Sequence, residues 1–239
     1  MIQAKDRIRF ELSDCVKHVK YGDQLDLISL DGVGGVIWSR EIPQEFQRWI
    51  DSLTPLNLPS ARAVLPVQKV RALVMDACDS VDMPAGPNRD WFVDDVCDLA
   101  ERYARVMSTP YLQLRFDVVA DNACRKFHMD MVRARLICTY RGHGTQYGVA
   151  EGDADPQQIC DVPTGAPILL RGRRWPDQEP SALRHRSPPI AGTGETRLIL
   201  VLDAVQTLDD PRAVILSEPK RTIAALQVDK NKNEAEELA

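Results

Sequence analysis

The chain has 239 residues with a formal net charge of −5, 44% hydrophobic and 27% charged residues, a composition that supports a soluble core without disulfides. Acidic balance without a dominant basic stripe argues against a nucleic-acid partner. Charges in the opening MIQAKDRIRFEL, and the lack of any apolar run of membrane-spanning length, argue against a secretory signal and a membrane span and point to the cytoplasm.

The first stretch, residues 1–109, reads as a mainly helical portion. LDLISLDGVGGVIWSR has the pattern of a strand interrupted by a glycine turn, and its glycines do not form a phosphate loop. Pro43 starts a short helix with Phe46, Trp49, Ile50 and Leu53 on one side. Pro66 precedes a second helix carrying Val70, Leu73, Val74 and Ala77. The clearest helix runs from Asn88 to Met107, where Phe92, Val96, Leu99, Ala100, Tyr103 and Val106 follow the 3.6-residue period and Pro110 lies just beyond.

Residues 110–219 change character. YLQLRFDVV alternates, with Leu112, Leu114, Phe116 and Val118 on one face. CRKFHMDMVRARLICTYRGHG, residues 124–144, reads as a strand that carries His128 and Asp130 on the same face as Val132, Ala134, Leu136, Cys138 and Tyr140. GAPILLRGRRW is another strand, and RLILVLD is apolar on both faces, as a central strand is. Short strands between Gly/Pro loops suggest a barrel or jelly roll. The expected architecture is therefore α+β: a jelly-roll or cupin-like double-stranded β-helix over 110–219, N-terminal helices packed outside it, and a charged tail over 220–239.

The six cysteines, at 15, 78, 97, 124, 138 and 160, never form C-x-x-C, which leaves neither a zinc ribbon nor a redox pair. There is no G-x-S-x-G, H-E-x-x-H or Walker loop. What remains is H-x-D at His128 and Asp130. An inward carboxylate needs a cation, and the pair reads either as two metal ligands or as a hydrogen-bonded pair at a strand end. Downstream, His185 closes a strand before a loop rich in proline and glycine, and Arg197 opens the next strand. Two histidines and one carboxylate are the facial grip of non-haem Fe(II), which leaves positions open for a chelating co-substrate and dioxygen. Arginine is a natural clamp for the far carboxylate of a 2-oxoacid such as 2-oxoglutarate.

That order of His128, Asp130, His185 and Arg197 resembles the double-stranded β-helix of the Fe(II)/2-oxoglutarate dioxygenases. More of the chain, including VIWSREIPQEF, CRKFHMDMVRARLICTYRGHGTQYG, LRHRSPP and RLILVLD, resembles the bacterial family called domain of unknown function 1826. The resemblance to the dioxygenases implies Fe(II) held by His128, Asp130 and His185, and 2-oxoglutarate against Arg197. Tyr140, Arg141 and Thr145 are further candidates for lining the co-substrate pocket. Hydroxylation of a small-molecule or otherwise unknown substrate is the first reading. Its alternatives are a non-redox protein binding zinc or another divalent ion for sensing or delivery, and a metal-free interaction module. The oligomeric state is left open.

Overall fold

The computed structural model describes residues 12–207 except 151, 153, 177 and 178. The expected charged tail over 220–239 lies outside the described residues. Four α-helices are present among the described residues: α1 (Leu12–Cys15), α2 (Gln44–Ser52), α3 (Val70–Asp79) and α4 (Pro87–Met107). Ten strands accompany them: β1 (Val16–Val19), β2 (Gly35–Trp38), β3 (Ala61–Pro66), β4 (Tyr111–Val119), β5 (Ala134–Arg141), β6 (Gln146–Val149), β7 (Cys160–Asp161), β8 (Pro167–Arg171), β9 (Leu183–Arg186) and β10 (Arg197–Val205). No helix among the described residues is long and apolar enough to cross a membrane.

The class is mixed α+β, built on two sheets. A seven-stranded sheet has the order β1-β2-β8-β5-β10-β4-β3, and a three-stranded sheet has the order β7-β6-β9. Strands β1, β2 and β3 come from the first 109 residues, so that portion supplies part of the large sheet as well as the helices. Of the stretch 25–40, expected as a strand interrupted by a glycine turn, the part after the glycines forms β2, whereas the part before them lies in a 3-10 helix, Gly22–Ser29.

Alternation divides the large sheet between two cores. Even-numbered residues of β10 and β4 (Leu198, Leu200 and Leu202; Leu112, Leu114, Phe116 and Val118) join the helices in one cluster. Phe92, Val96, Leu99, Ala100 and Tyr103 of α4 belong to it as the helical period requires. Odd-numbered Ile199 and Val201 face the small sheet with Ile137, Ile168, Leu170, Tyr147 and Leu183. Burial on both faces explains why β10 is apolar throughout.

Polar contacts tie α4 to the sheet. Arg40 makes a two-pronged ion pair with Asp95, at 2.6 and 2.7 Å, and Tyr140 donates its hydroxyl to Asp95 Oδ2 at 2.6 Å. Tyr103 donates to the carbonyl of Ala134 at 2.7 Å. The Cys138 thiol is fully buried beside this network, and burial pushes its pKa up to about 12. It is a core group.

Candidate metal centre

The chain leaves β4 at Val119 and runs without regular structure to β5 at Ala134. One point of this run is pinned. His128 and His185 exchange both backbone hydrogen bonds, each 3.0 Å, as an isolated antiparallel bridge. Residues directly opposite in such a pair project to the same face, so the two imidazoles lie side by side with centroids 4.5 Å apart. Asp130, two residues on, returns to that face. His185 Nε2 stands 3.1 Å from Asp130 Oδ2, and His128 Nε2 stands 3.6 Å from Oδ1. One ligand atom from each of the three residues falls within 4.8 Å of the others.

The parity expected for 124–144 does not carry through. Even-numbered residues of β5 (Ala134, Leu136, Cys138 and Tyr140) face the helices, whereas His128 and Asp130 face the inter-sheet side. Bends at 131–133 separate the two registers. The turn after β8 holds those bends: Gly172 N donates to Arg133 O, Arg173 N to Asp130 O and Arg174 N to Val132 O, at 2.8–3.0 Å. A Cβ at Gly172 would lie 2.0 Å from the carbonyl oxygen of Val132, so only glycine lets the backbones approach this closely.

Each donor has a defined electronic state. His128 Nδ1 lies 2.9 Å from the carbonyl of Lys126. A carbonyl only accepts, so Nδ1 carries the hydrogen and Nε2 is the nitrogen turned toward Asp130, a lone pair in the neutral ring and a hydrogen-bond donor once protonated. The hydrogen bond to Asp130 raises the pKa of His128, against desolvation. Desolvation lowers that of buried His185, with Asp130 opposing. Burial alone would push the Asp130 carboxyl up. Its contacts with His128 and His185 and the charge of Arg135 override burial and hold it well below the usual carboxylate range.

Arg135 was not singled out in the sequence, and it organises this carboxylate. It donates from Nη1 to Asp130 Oδ1 at 2.5 Å, while Nε and Nη2 grip Asp203 at 2.7 Å each. Arg135 and Asp203 are register partners across β5 and β10. Asp130 Oδ1 is thereby engaged, and buried Oδ2 is left with no hydrogen bond, facing His185. A signal existed in RLILVLD, where Asp203 shares the parity of Arg197 and is an acid at the end of a strand apolar on both faces.

A cavity of about 90 Å³ adjoins the three residues. His128 and His185 line it together with Arg135, Thr145 and Arg197, over a floor that includes Ile137, Ile199 and Val201. Arg197 is 1% exposed. Its Nε donates to the carbonyl of His143 at 2.6 Å and its Nη2 reaches Thr139 Oγ1 at 3.4 Å, while buried Nη1 makes no hydrogen bond. Desolvation lowers its pKa to about 10, with Glu195 opposing, so the guanidinium is charged at neutral pH.

Two expected pocket residues point elsewhere. Tyr140 lies on the helix side against Asp95. Arg141 donates to the carbonyls of Ile50 and Leu53. Tyr140 follows the even-numbered parity of β5; at it lies a β-bulge, since Ile199 pairs with Thr139 and Leu198 with Arg141, leaving Tyr140 as the extra residue. A bulge reverses alternation beyond it, so Arg141 is opposite Leu198 on the helix face instead of opposite the cavity.

The family described as Protein of unknown function (DUF1826) matches residues 21–203. The chain belongs to this family. No curated protein matches the chain. Among solved structures it is similar to a dioxygenase for auxin oxidation in rice, at 13% identity and a TM-score of 0.46, covering 90% of this chain and 95% of that one. It is also similar to an oxidoreductase of the 2OG-Fe(II) oxygenase family from Burkholderia pseudomallei, at 15% identity and TM-score 0.40, with 80% and 96% covered. A Pseudomonas putida prolyl-4-hydroxylase is similar at 17% identity and TM-score 0.35, with 72% and 98% covered.

Proposed function

We propose that this DUF1826 protein is a non-haem Fe(II)/2-oxoglutarate-dependent oxygenase whose two sheets are the halves of a double-stranded β-helix. The observation that carries the reading is that Asp130 Oδ2 and Arg197 Nη1 are both buried without a hydrogen bond. One is a buried anionic oxygen without a hydrogen bond beside two imidazoles, the other a buried cation without one, lining the cavity next to it.

The donor set fits an Fe(II) ion. Three ligands on one octahedral face at about 2.1 Å from a metal stand about 3 Å apart; here one donor atom from each residue lies within 4.8 Å of the others, with His185 Nε2 already 3.1 Å from Asp130 Oδ2, so closure onto an ion needs a modest inward shift. Without thiolates the set suits iron better than a structural zinc site. His128 Nε2, His185 Nε2 and Asp130 would hold the ion. With 2-oxoglutarate and dioxygen it supplies oxidation of a substrate C–H bond coupled to decarboxylation of the 2-oxoacid to succinate.

The chain's own groups do the rest. Arg197 Nη1 takes the far carboxylate in a charge-assisted bond that is strong because the guanidinium is already desolvated. Ile137, Ile199 and Val201 give the methylene stem an apolar bed. The Thr145 hydroxyl offers the bound acid a further hydrogen bond. Walls drawn from both sheets limit water around the reacting centre.

The test is anaerobic addition of Fe(II) and 2-oxoglutarate to the metal-free protein. A weak visible charge-transfer band is expected, lost in His185→Ala and requiring more 2-oxoglutarate in Arg197→Met. An absent band, together with no thermal protection by either ligand, would overturn the reading.

A further inference from the structure

Arg197 opens β10 and is almost wholly buried, so its guanidinium takes the direction that its hydrogen bonds give it. Two of its three nitrogens are held. Nε donates to the His143 carbonyl at 2.6 Å, and Nη2 reaches Thr139 Oγ1 at 3.4 Å. The shorter bond has the larger say in where Nη1 points, and its acceptor lies on the turn between β5 and β6. That turn reads Gly142-His143-Gly144, with Gly142 at a φ of +78°. A residue with glycine on both sides sits on chain of little intrinsic stiffness, so its carbonyl needs support from elsewhere.

Glu195 gives that support. Its Oε1 accepts from the backbone N–H of His143 at 2.7 Å, and its Oε2 meets Nδ1 of the same residue at 2.5 Å. A Cβ at Gly142 would stand 2.7 Å from Glu195 Oε1 and 2.9 Å from Arg197 Cγ. The carboxylate, the turn and the stem of Arg197 therefore pack at one point. A carboxylate beside an exposed histidine is ordinarily a surface ion pair that contributes little. Three observations set this one apart: the Glu195 side chain is only 19% exposed, it holds the main chain as well as the ring, and the residue it holds is the acceptor for Arg197. Its charge also opposes the desolvation of Arg197.

We propose that Glu195 is a positioning residue: through His143 it holds Arg197 in the orientation that receives the far carboxylate of the 2-oxoacid, and so sets the affinity for that co-substrate. The inference rests on the oxygenase reading for the ligand of Arg197. The hold on the guanidinium can be judged without it. Glu195 grips the turn and none of the three candidate metal ligands, so it acts on the co-substrate and not on the metal.

The first measurement is hydrogen exchange at Arg197 Nε in the full-length metal-free protein, the heteronuclear NMR signal being assigned by its loss in Arg197→Met. Glu195→Ala should speed exchange about tenfold or more, the loss of a charge-assisted hydrogen bond. Glu195→Gln, which still offers an oxygen to the His143 N–H, should recover part of the protection. His143→Ala keeps the main-chain groups and should be milder than Glu195→Ala. Unchanged exchange in Glu195→Ala, or a larger change in His143→Ala, overturns the route through the main chain. The second measurement is the dissociation constant of 2-oxoglutarate from Mn(II)-loaded protein. It should rise about tenfold in Glu195→Ala with the Mn(II) constant unaltered, and the same substitution should add nothing in an Arg197→Met background. A full further loss in that background overturns the inference, as does unaltered 2-oxoglutarate binding in Glu195→Ala where Arg197→Met weakens it. If 2-oxoglutarate does not bind, or Arg197→Met leaves its binding intact, the oxygenase reading of Arg197 fails and the affinity claim falls with it. Exchange at Nε then still decides whether Glu195 holds Arg197, so the two failures stay distinct.

Discussion

Asp130 is the residue on which the site turns, and its two oxygens have different surroundings. Oδ1 is held by Arg135, which Asp203 anchors through two parallel bonds of 2.7 Å, while Oδ2 stays open toward His185. Partners behind a metal ligand fix its orientation, and their loss typically costs about 10–100-fold in affinity. Asp203→Asn keeps the shape of the side chain and removes the charge that aims Arg135. Its dissociation constant for Fe(II) or Mn(II), measured by competition with a chelator, is expected to rise by about that factor. Arg135→Lys should do the same, because an ammonium cannot hold both acids with a planar fork. Equal affinity in wild type and both variants would reduce the triad of Arg135, Asp130 and Asp203 to a packing feature.

At the level of elements, the helices and the candidate metal centre lie on opposite faces of one sheet, and each face has its own point of failure. Asp95, with a side chain only 8% exposed, joins α4 to Arg40 and Tyr140. Asp95→Asn leaves Arg40 buried without its charge partner, and breaking such a pair destabilises by about 3–5 kcal/mol. Urea unfolding should read that loss while metal affinity of the folded protein is retained. Gly172→Ala is the converse. The added Cβ meets the carbonyl of Val132 at 2.0 Å and pushes on the link that carries Asp130. A stability loss of about 1–3 kcal/mol is expected together with weaker metal binding. If Asp95→Asn proved the more damaging to metal binding, the two faces would not be independent. These elements also mark how far the sequence was legible. The period of α4 and the double-sided burial of β10 follow from hydrophobic spacing, which reports the dominant force on each. A bulge at Tyr140 and the bends at 131–133 follow from backbone contacts made far along the chain, and no local pattern encodes those. Thr145 and Arg197 line the cavity, whereas Tyr140 and Arg141 lie on the helix side.

For the molecule as a whole, the candidate ligand atoms come from segments separated in sequence and brought together by the bridge between His128 and His185. An ion bound there links those segments, and the unfolded chain offers no comparable set. Binding confined to the native state adds about 2.7 kcal/mol when free ligand is one hundred times its dissociation constant. A divalent metal should therefore raise the unfolding midpoint in proportion to the logarithm of its concentration, and chelation should reverse the gain. His185→Ala removes both a donor and a side chain that is 6% exposed, so lower metal-free stability is expected in that variant whether or not a metal binds. Its response to metal is what separates the two roles: a flat midpoint across the titration identifies a lost ligand, and a slope like that of wild type identifies a histidine that only fills space. His128, more exposed and hydrogen-bonded through Nδ1 to Lys126, supplies the cleaner substitution. His128→Ala should cost less in the metal-free state and flatten the metal response to the same degree.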